Sequence, residues 1–191
     1  MNATQVYNQA VEEHRKGKHR EAVRLFKEAV EQDPEFYRAY AYMALSYEAL
    51  KMPKEAIDCY MKTVLIKPDY HKAYNNLGQL YRSRGEIGDA IDSFRNACEF
   101  DPANALYHYN LGLSLMDIRE YAPARDALEK AFATDPNDHE IVNELCSSCY
   151  ALKEHGRAAE VLEKFVAANP EHPRAIEFQS RLSALRKVQE R

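Results

Sequence analysis

The sequence predicts an all-α fold, an array of antiparallel helix pairs, and three observations carry that prediction. Pro34, Pro68, Pro102, Pro136 and Pro170 stand at one constant interval, with no insertion between them. Ala22, Ala56, Ala90, Ala124 and Ala158 each lie twelve residues before one of those prolines, and Phe26, Tyr60, Phe94, Leu128 and Leu162 lie eight before. Self-similarity at a fixed period of this size marks stacked supersecondary units. Within each period apolar residues recur at three- and four-residue intervals, break, and resume, which is the pattern of two amphipathic helices. Five repeats follow, over 3–36, 37–70, 71–104, 105–138 and 139–172, with a tail of 173–191.

Gly17, Gly85 and Gly156 lie at or near the breaks, and Pro53 and Pro123 sit near the start of a second helix. Gly ends helices and Pro opens them. Ala10, Ala44, Gly78, Gly112 and Cys146 on the first helices are expected to face Ala22, Ala56, Ala90, Ala124 and Ala158 on the second, because close crossing needs small side chains. The first repeat has Gln9 and Glu13 where the third has Leu77 and Tyr81, so its outer face reads as polar, as in the terminal unit of a stacked array. The last repeat has Phe165 where Ala29, Ala97 and Ala131 stand, which suggests that its second helix packs on something other than another repeat. The tail supplies a candidate. Over 173–191 Phe178, Leu182 and Leu185 form one stripe, Ile176 and Val188 flank it, and Arg174, Glu177, Arg181, Arg186, Lys187 and Glu190 lie elsewhere.

Composition narrows the function classes. Hydrophobic residues make up 46% of the chain, enough for a packed core, yet no run approaches the ~20 apolar residues of a membrane span. The start shows no basic segment followed by an apolar run, so the sequence predicts a cytoplasmic address with neither leader nor lipid anchor. A net charge of -4 argues against bulk electrostatic attraction to nucleic acid. Cys59, Cys98, Cys146 and Cys149 read as small buried hydrophobes, since Cys146 and Cys149 fall on helix-packing positions and no second Cys/His pair completes a zinc site. The seven histidines fall mostly at helix starts, turns or exposed faces and read as solvated residues. No phosphate loop, His-Glu-x-x-His or nucleophile elbow is present. The sequence therefore predicts no enzymatic activity, no cofactor and no metal.

Repeat three carries the pattern most fully. Tyr74, Leu77, Gly78, Tyr81, Ala90, Phe94, Ala97 and Pro102 spell aromatic-x2-Leu-Gly-x2-Tyr, then Ala-x3-Phe-x2-Ala, then Pro. This resembles the tetratricopeptide (TPR) repeat, and the resemblance covers about nine-tenths of the chain. It implies a right-handed superhelical solenoid, a tail that caps the last repeat, and a concave groove lined by the first helices. The groove positions by register include Asn8, Arg38, Tyr42, Leu45, Lys72, Asn75, Asn76, Gln79, Arg82, Tyr109, Asn110, Leu113, Met116, Asn143 and Glu144. Asn8, Asn76 and Asn110 share one repeat position, where an amide can hydrogen-bond an extended peptide, although Tyr42 and Glu144 interrupt the series. Leu106 joins Tyr42, Leu45, Tyr109, Leu113 and Met116 as apolar and aromatic lining. Charge is asymmetric, with Arg15, Arg38, Lys72 and Arg82 in the first three repeats and Asp117, Glu140 and Glu144 in the last two. The Lys-Asn-Asn-Lys-Arg clamp with which some members grip a chaperone's acidic tail is absent. Its first window here reads Tyr7, Val11, Tyr42, Lys72 and Asn76. The resemblance thus implies a non-enzymatic scaffold that holds a peptide or helix of a partner protein. The alternative is a structural subunit of an oligomer, associating through its ends, convex face or tail.

Overall fold

The computed structural model describes residues 1–189, which form eleven helices. The first helices of the five pairs are α1 (Ala3–Arg15), α3 (Tyr37–Ala49), α5 (His71–Ser83), α7 (Ala105–Asp117) and α9 (His139–Ala151). The second helices are α2 (His19–Gln32), α4 (Pro53–Ile66), α6 (Ile87–Phe100), α8 (Tyr121–Thr134) and α10 (His155–Ala168), and α11 (Ala175–Gln189) follows. Within each set the starting residues recur at the same interval as the prolines, so the helices keep the register of the sequence repeat. The chain divides into two compact units, Met1–Phe100 and Asp101–Arg191.

The turn inside each pair is built the same way five times. One residue takes a left-handed conformation, with φ of 76° at Gly17, 58° at Lys51, 78° at Gly85, 63° at Arg119 and 62° at Lys153. The next amide then reaches back to the helix it has left, as in Lys18 N–H to the Glu13 carbonyl at 2.9 Å and Glu154 N–H to the Cys149 carbonyl at 2.8 Å. This Schellman closure satisfies carbonyls that a helix end otherwise orphans. Only two of the five positions are glycine, and a side chain there costs roughly 1–2 kcal/mol. The break near Gly156 is made by Lys153, while Gly156 itself lies inside α10.

Close crossing explains the small residues. A Cβ on Gly78 would sit 2.6 Å from Phe94 Cε1, and one on Gly112 would sit 2.6 Å from Leu128 Cγ and 3.3 Å from the Ala124 carbonyl. The nearest neighbours are thus the large residues one turn beyond the expected alanines. Cys146 Sγ does reach the Ala158 carbonyl, at 3.7 Å.

The core of Met1–Phe100 gathers Val6, Leu25, Phe26, Met43, Tyr60 and Leu77 among others. Its first helix is polar outside: Gln9 is exposed, and Glu13 pairs with Lys16 at 2.9 Å and Lys18 at 3.2 Å. In Asp101–Arg191 the core runs through Leu128, Leu145, Leu162 and Phe165 into the tail. Phe165 meets Phe178 edge-on, with ring centroids 5.1 Å apart, and Phe178, Leu182 and Leu185 are all buried. The helix begins at Ala175 rather than at Pro173, and Ile176 is 84% exposed, so it does not flank the stripe. Glu190 and the side chain of Val188 lie outside the described residues.

All four cysteines are buried, and burial pushes the Cys59 and Cys146 thiols up to about 12 and that of Cys149 up to about 11. Thiols held protonated in this way behave as hydrophobes rather than nucleophiles. No described helix is long and apolar enough to cross a membrane.

Candidate functional site

In Met1–Phe100 the first helices α1, α3 and α5 share a face rich in tyrosine. Tyr7 of α1 packs 4.8 Å from Phe36 and meets Tyr42 of α3 edge-on at 5.9 Å. Tyr42 also borders Phe26 at 6.2 Å and His14 at 6.1 Å. Ser46 Oγ donates to the Tyr42 carbonyl at 2.9 Å, so the Oγ is left to accept from His14 Nδ1, 2.8 Å away. Burial, and then His19 with its ring 5.0 Å away, holds His14 below the ordinary imidazole value.

A second aromatic pair lies at the start of α3 and α5. Tyr37, the first residue of α3, meets Tyr70, just before α5, in an edge-on contact at 5.4 Å. The Arg38 guanidinium lies over the Tyr37 ring, 5.6 Å from its centroid, and Arg38 Nε donates to Tyr37 Oη at 3.0 Å. Arg38, Lys72, Gln79 and Asn8 are exposed, Leu45 is 37% exposed, and Tyr42, Asn76 and Arg82 are half-buried.

Behind these residues runs a buried polar relay. Asn76 Nδ2 donates to Tyr60 Oη at 2.8 Å, and Tyr60 Oη donates in turn to Glu48 Oε1. Burial raises both Tyr60 and Glu48, with the tyrosine hydrogen bond partly offsetting the rise at Glu48. Asn75 is buried and donates to Asn76 Oδ1 at 3.4 Å. The three asparagines at one repeat position therefore occupy different surroundings: Asn8 is exposed, Asn76 joins α5 to Tyr60, and Asn110 is only 9% exposed.

The corresponding face of Asp101–Arg191 is used by its own tail. Arg181 of α11 donates through Nη1 to Asn143 Oδ1 at 2.9 Å and lies over the Tyr150 and Phe178 rings, at 5.7 and 5.5 Å. Asn143 Nδ2 donates to Glu144 Oε1 at 3.0 Å. Tyr109 and Met116 pack against the core, Leu113 is half-buried, and Leu106 stays 52% exposed.

Three features escaped the sequence reading. Tyr37 and Tyr70 fall at repeat boundaries, one position short of a full repeat interval from each other and outside the groove register. Arg181 lies three residues after Phe178 and four before Leu185, which puts it beside the tail's apolar stripe. The histidines also need correction: none of the seven is exposed. His19, His71, His139 and His155 open helices, and His108 is buried with Nε2 3.0 Å from the Pro102 carbonyl. His19 lies against the His14 ring and His155 against the Tyr150 ring, each on the preceding helix, so polarity alone misjudges their burial.

Family models of the repeat match the chain over 13–173. A model described as TPR repeat matches residues 78–118, and two described as tetratricopeptide repeat match 13–81 and 109–173. No curated protein matches the sequence. Among solved structures, a MamA protein is 21% identical with a TM-score of 0.80, over 88% of this chain and 92% of its own. PilF of Pseudomonas aeruginosa is 19% identical with a TM-score of 0.73, over 98% and 86%. YrrB, a TPR protein with an unusual peptide-binding site, is 18% identical with a TM-score of 0.77, over 94% and 92%. At these identities the likeness is one of fold.

Proposed function

The chain belongs to the tetratricopeptide repeat family, a family of generally non-enzymatic scaffolds that bind partner proteins, and from that premise we propose that it holds a peptide or helical segment of a partner. The segment lies on the first-helix face of Met1–Phe100. One observation carries the reading: Tyr7 and Tyr42 meet edge-on, the 37%-exposed Leu45 stands one turn along α3 from Tyr42, and Asn8, Arg38, Lys72 and Gln79 are exposed on the same first helices. An apolar centre with a polar rim is the anatomy of protein interfaces, and tyrosine is enriched in them. YrrB, alike in fold, is described as having a peptide-binding site, which supports the same use here. In Asp101–Arg191, Tyr109, Leu113 and Met116, with Asn110, take the same register but a lesser role. Asn143 and Glu144 are already engaged with each other, and Asn143 also with Arg181.

The test is quantitative capture from the native lysate by the wild-type chain, by a Leu45→Asp, Gln79→Ala variant and by a Lys27→Ala control on α2. These positions are exposed, so the variants keep the core. A partner held by wild type and control and lost by the face variant supports the proposal. Equal capture by all three, or capture only of further copies of this chain, overturns it.

A further inference from the structure

One cluster on this face is chemically more specific than an apolar strip. Tyr7, Tyr37, Tyr42 and Tyr70 are half-buried, and Arg38 is exposed among them. The ring contacts Tyr7–Tyr42 at 5.9 Å and Tyr37–Tyr70 at 5.4 Å, with Arg38 over Tyr37 at 5.6 Å, bring four phenols and one guanidinium together. Arg38 spends Nε on Tyr37 Oη, and its two terminal amino groups have no hydrogen-bond or ion-pair partner among the described residues. The phenol of Tyr37 accepts that bond, which leaves its own O–H to donate elsewhere.

The electrostatic surroundings are one-sided. Burial raises both Tyr7 and Tyr70; Tyr42 adds most to the rise at Tyr7 and Tyr37 to that at Tyr70, and Arg38 lowers both. The groups acting on Arg38 are likewise Tyr37, Tyr7 and Tyr70. Lys16, Arg24, Lys67 and Arg84 of this unit sit in ion pairs, with Glu12, Glu21, Asp69 and Glu86, while Lys72, like Arg38, stands in no ion pair among the described residues. Arg38 and Lys72 also stand in the first turns of α3 and α5, which carry no acidic residue there, whereas α2, α4 and α6 open with Glu21, Glu55 and Asp89. A cation at a helix N-terminus opposes the helix dipole. An anion beside it removes the conflict.

We propose that the cluster of Tyr7, Tyr37, Tyr42, Tyr70 and Arg38 is a binding site for an oxyanion carried by the partner segment, a phosphate or a carboxylate. The guanidinium pairs with either through its terminal edge, and the phenols donate to the remaining oxygens. This rests on the proposed role of the first-helix face, and small anions test it separately.

The experiment follows the arginine Nε–H and tyrosine ring resonances of the full chain while inorganic phosphate, and separately acetate, is titrated in. Saturable shifts at Arg38 and Tyr37 are expected, with a dissociation constant on the order of 1–10 mM. Binding should weaken at least tenfold in Arg38→Gln and about threefold in Tyr70→Phe, and stay unchanged in Arg20→Gln, on the exposed side of α2. Saturation by phosphate alone identifies a phosphorylated residue as the source, and saturation by both admits an aspartate or glutamate. Shifts that do not saturate, or that persist in Arg38→Gln, overturn the site. Partner capture by the wild-type chain with no saturable anion response sinks the oxyanion site but leaves the face reading standing. An anion response with no partner captured does the reverse.

Discussion

The two compact units share one backbone plan and differ on their first-helix faces. In Met1–Phe100 the face presents tyrosines, Leu45 and cations, and α3 and α5 open on Arg38 and Lys72. In Asp101–Arg191 α9 opens on acids, with Asp138 capping the amides of Glu140 and Ile141, and Arg181 folds onto Asn143 and Tyr150. The closed turns, the small crossing residues and the paired helices of matching length are common to both. The repeat therefore constrains what the pairs need for packing and leaves the face free to diverge. One unit uses that freedom for an aromatic surface, the other to seat its own tail.

The largest effect is expected at the tail. Deleting 173–191 exposes the surface that Phe178, Leu182 and Leu185 cover, and burying three such side chains stabilises by on the order of 5 kcal/mol. Hydrogen exchange should show α9 and α10 losing protection, with aggregation, while α1 to α4 keep theirs. Unchanged protection in α10 would break the account of this unit.

Next in size is the helix crossing, where the units should respond alike. Gly78→Leu drives a side chain into Phe94, and Gly112→Leu drives one into Leu128. Each should lower stability by roughly 1–3 kcal/mol in denaturant titration. A neutral result in either would mean that the crossing is not the tight point in that repeat.

Smaller still are the left-handed turns. Lys51→Gly and Arg119→Gly relieve a strained φ but loosen the unfolded chain, so each should stabilise by roughly 0.5–1 kcal/mol. Gly85→Ala should destabilise by a similar amount. The last effect belongs to the first unit alone. His14 is held below its reference value of 6.5, so the unfolded chain binds that proton more readily than the folded one. The stability of Met1–Phe100 should be full above pH 6.5 and fall as pH drops below it, with His14→Gln flattening the melting temperature between pH 7 and pH 5.

What the sequence made legible follows from what repeats. Evenly spaced prolines, small residues at the crossing and Phe165 in place of alanine are packing requirements, and each reappears in the structure as a helix end, a close contact or the tail's seat. The helix register was legible, but the surroundings of the side chains along it were not. Register places Asn76 among the groove residues, yet its amide is bound to Tyr60, a partner on the preceding helix that no periodicity announces. Tyr37 and Tyr70 sit at repeat boundaries, and only the folded turn brings them together. Likewise, Arg181 gains its meaning from Asn143, which lies a whole repeat earlier in the chain.

The most direct test of the central claim is site-specific photocrosslinking of the full chain in its native lysate. A photoreactive phenylalanine is placed at Leu45 or Gln79 on the first-helix face, or at Lys27 or Lys62 on second helices. The account predicts that Leu45 and Gln79 crosslink to one short stretch of a single different protein, and that Lys27 and Lys62 do not. Crosslinks to that protein from Lys27 and Lys62 alone, or from Leu45 and Gln79 only to another copy of this chain, would contradict it.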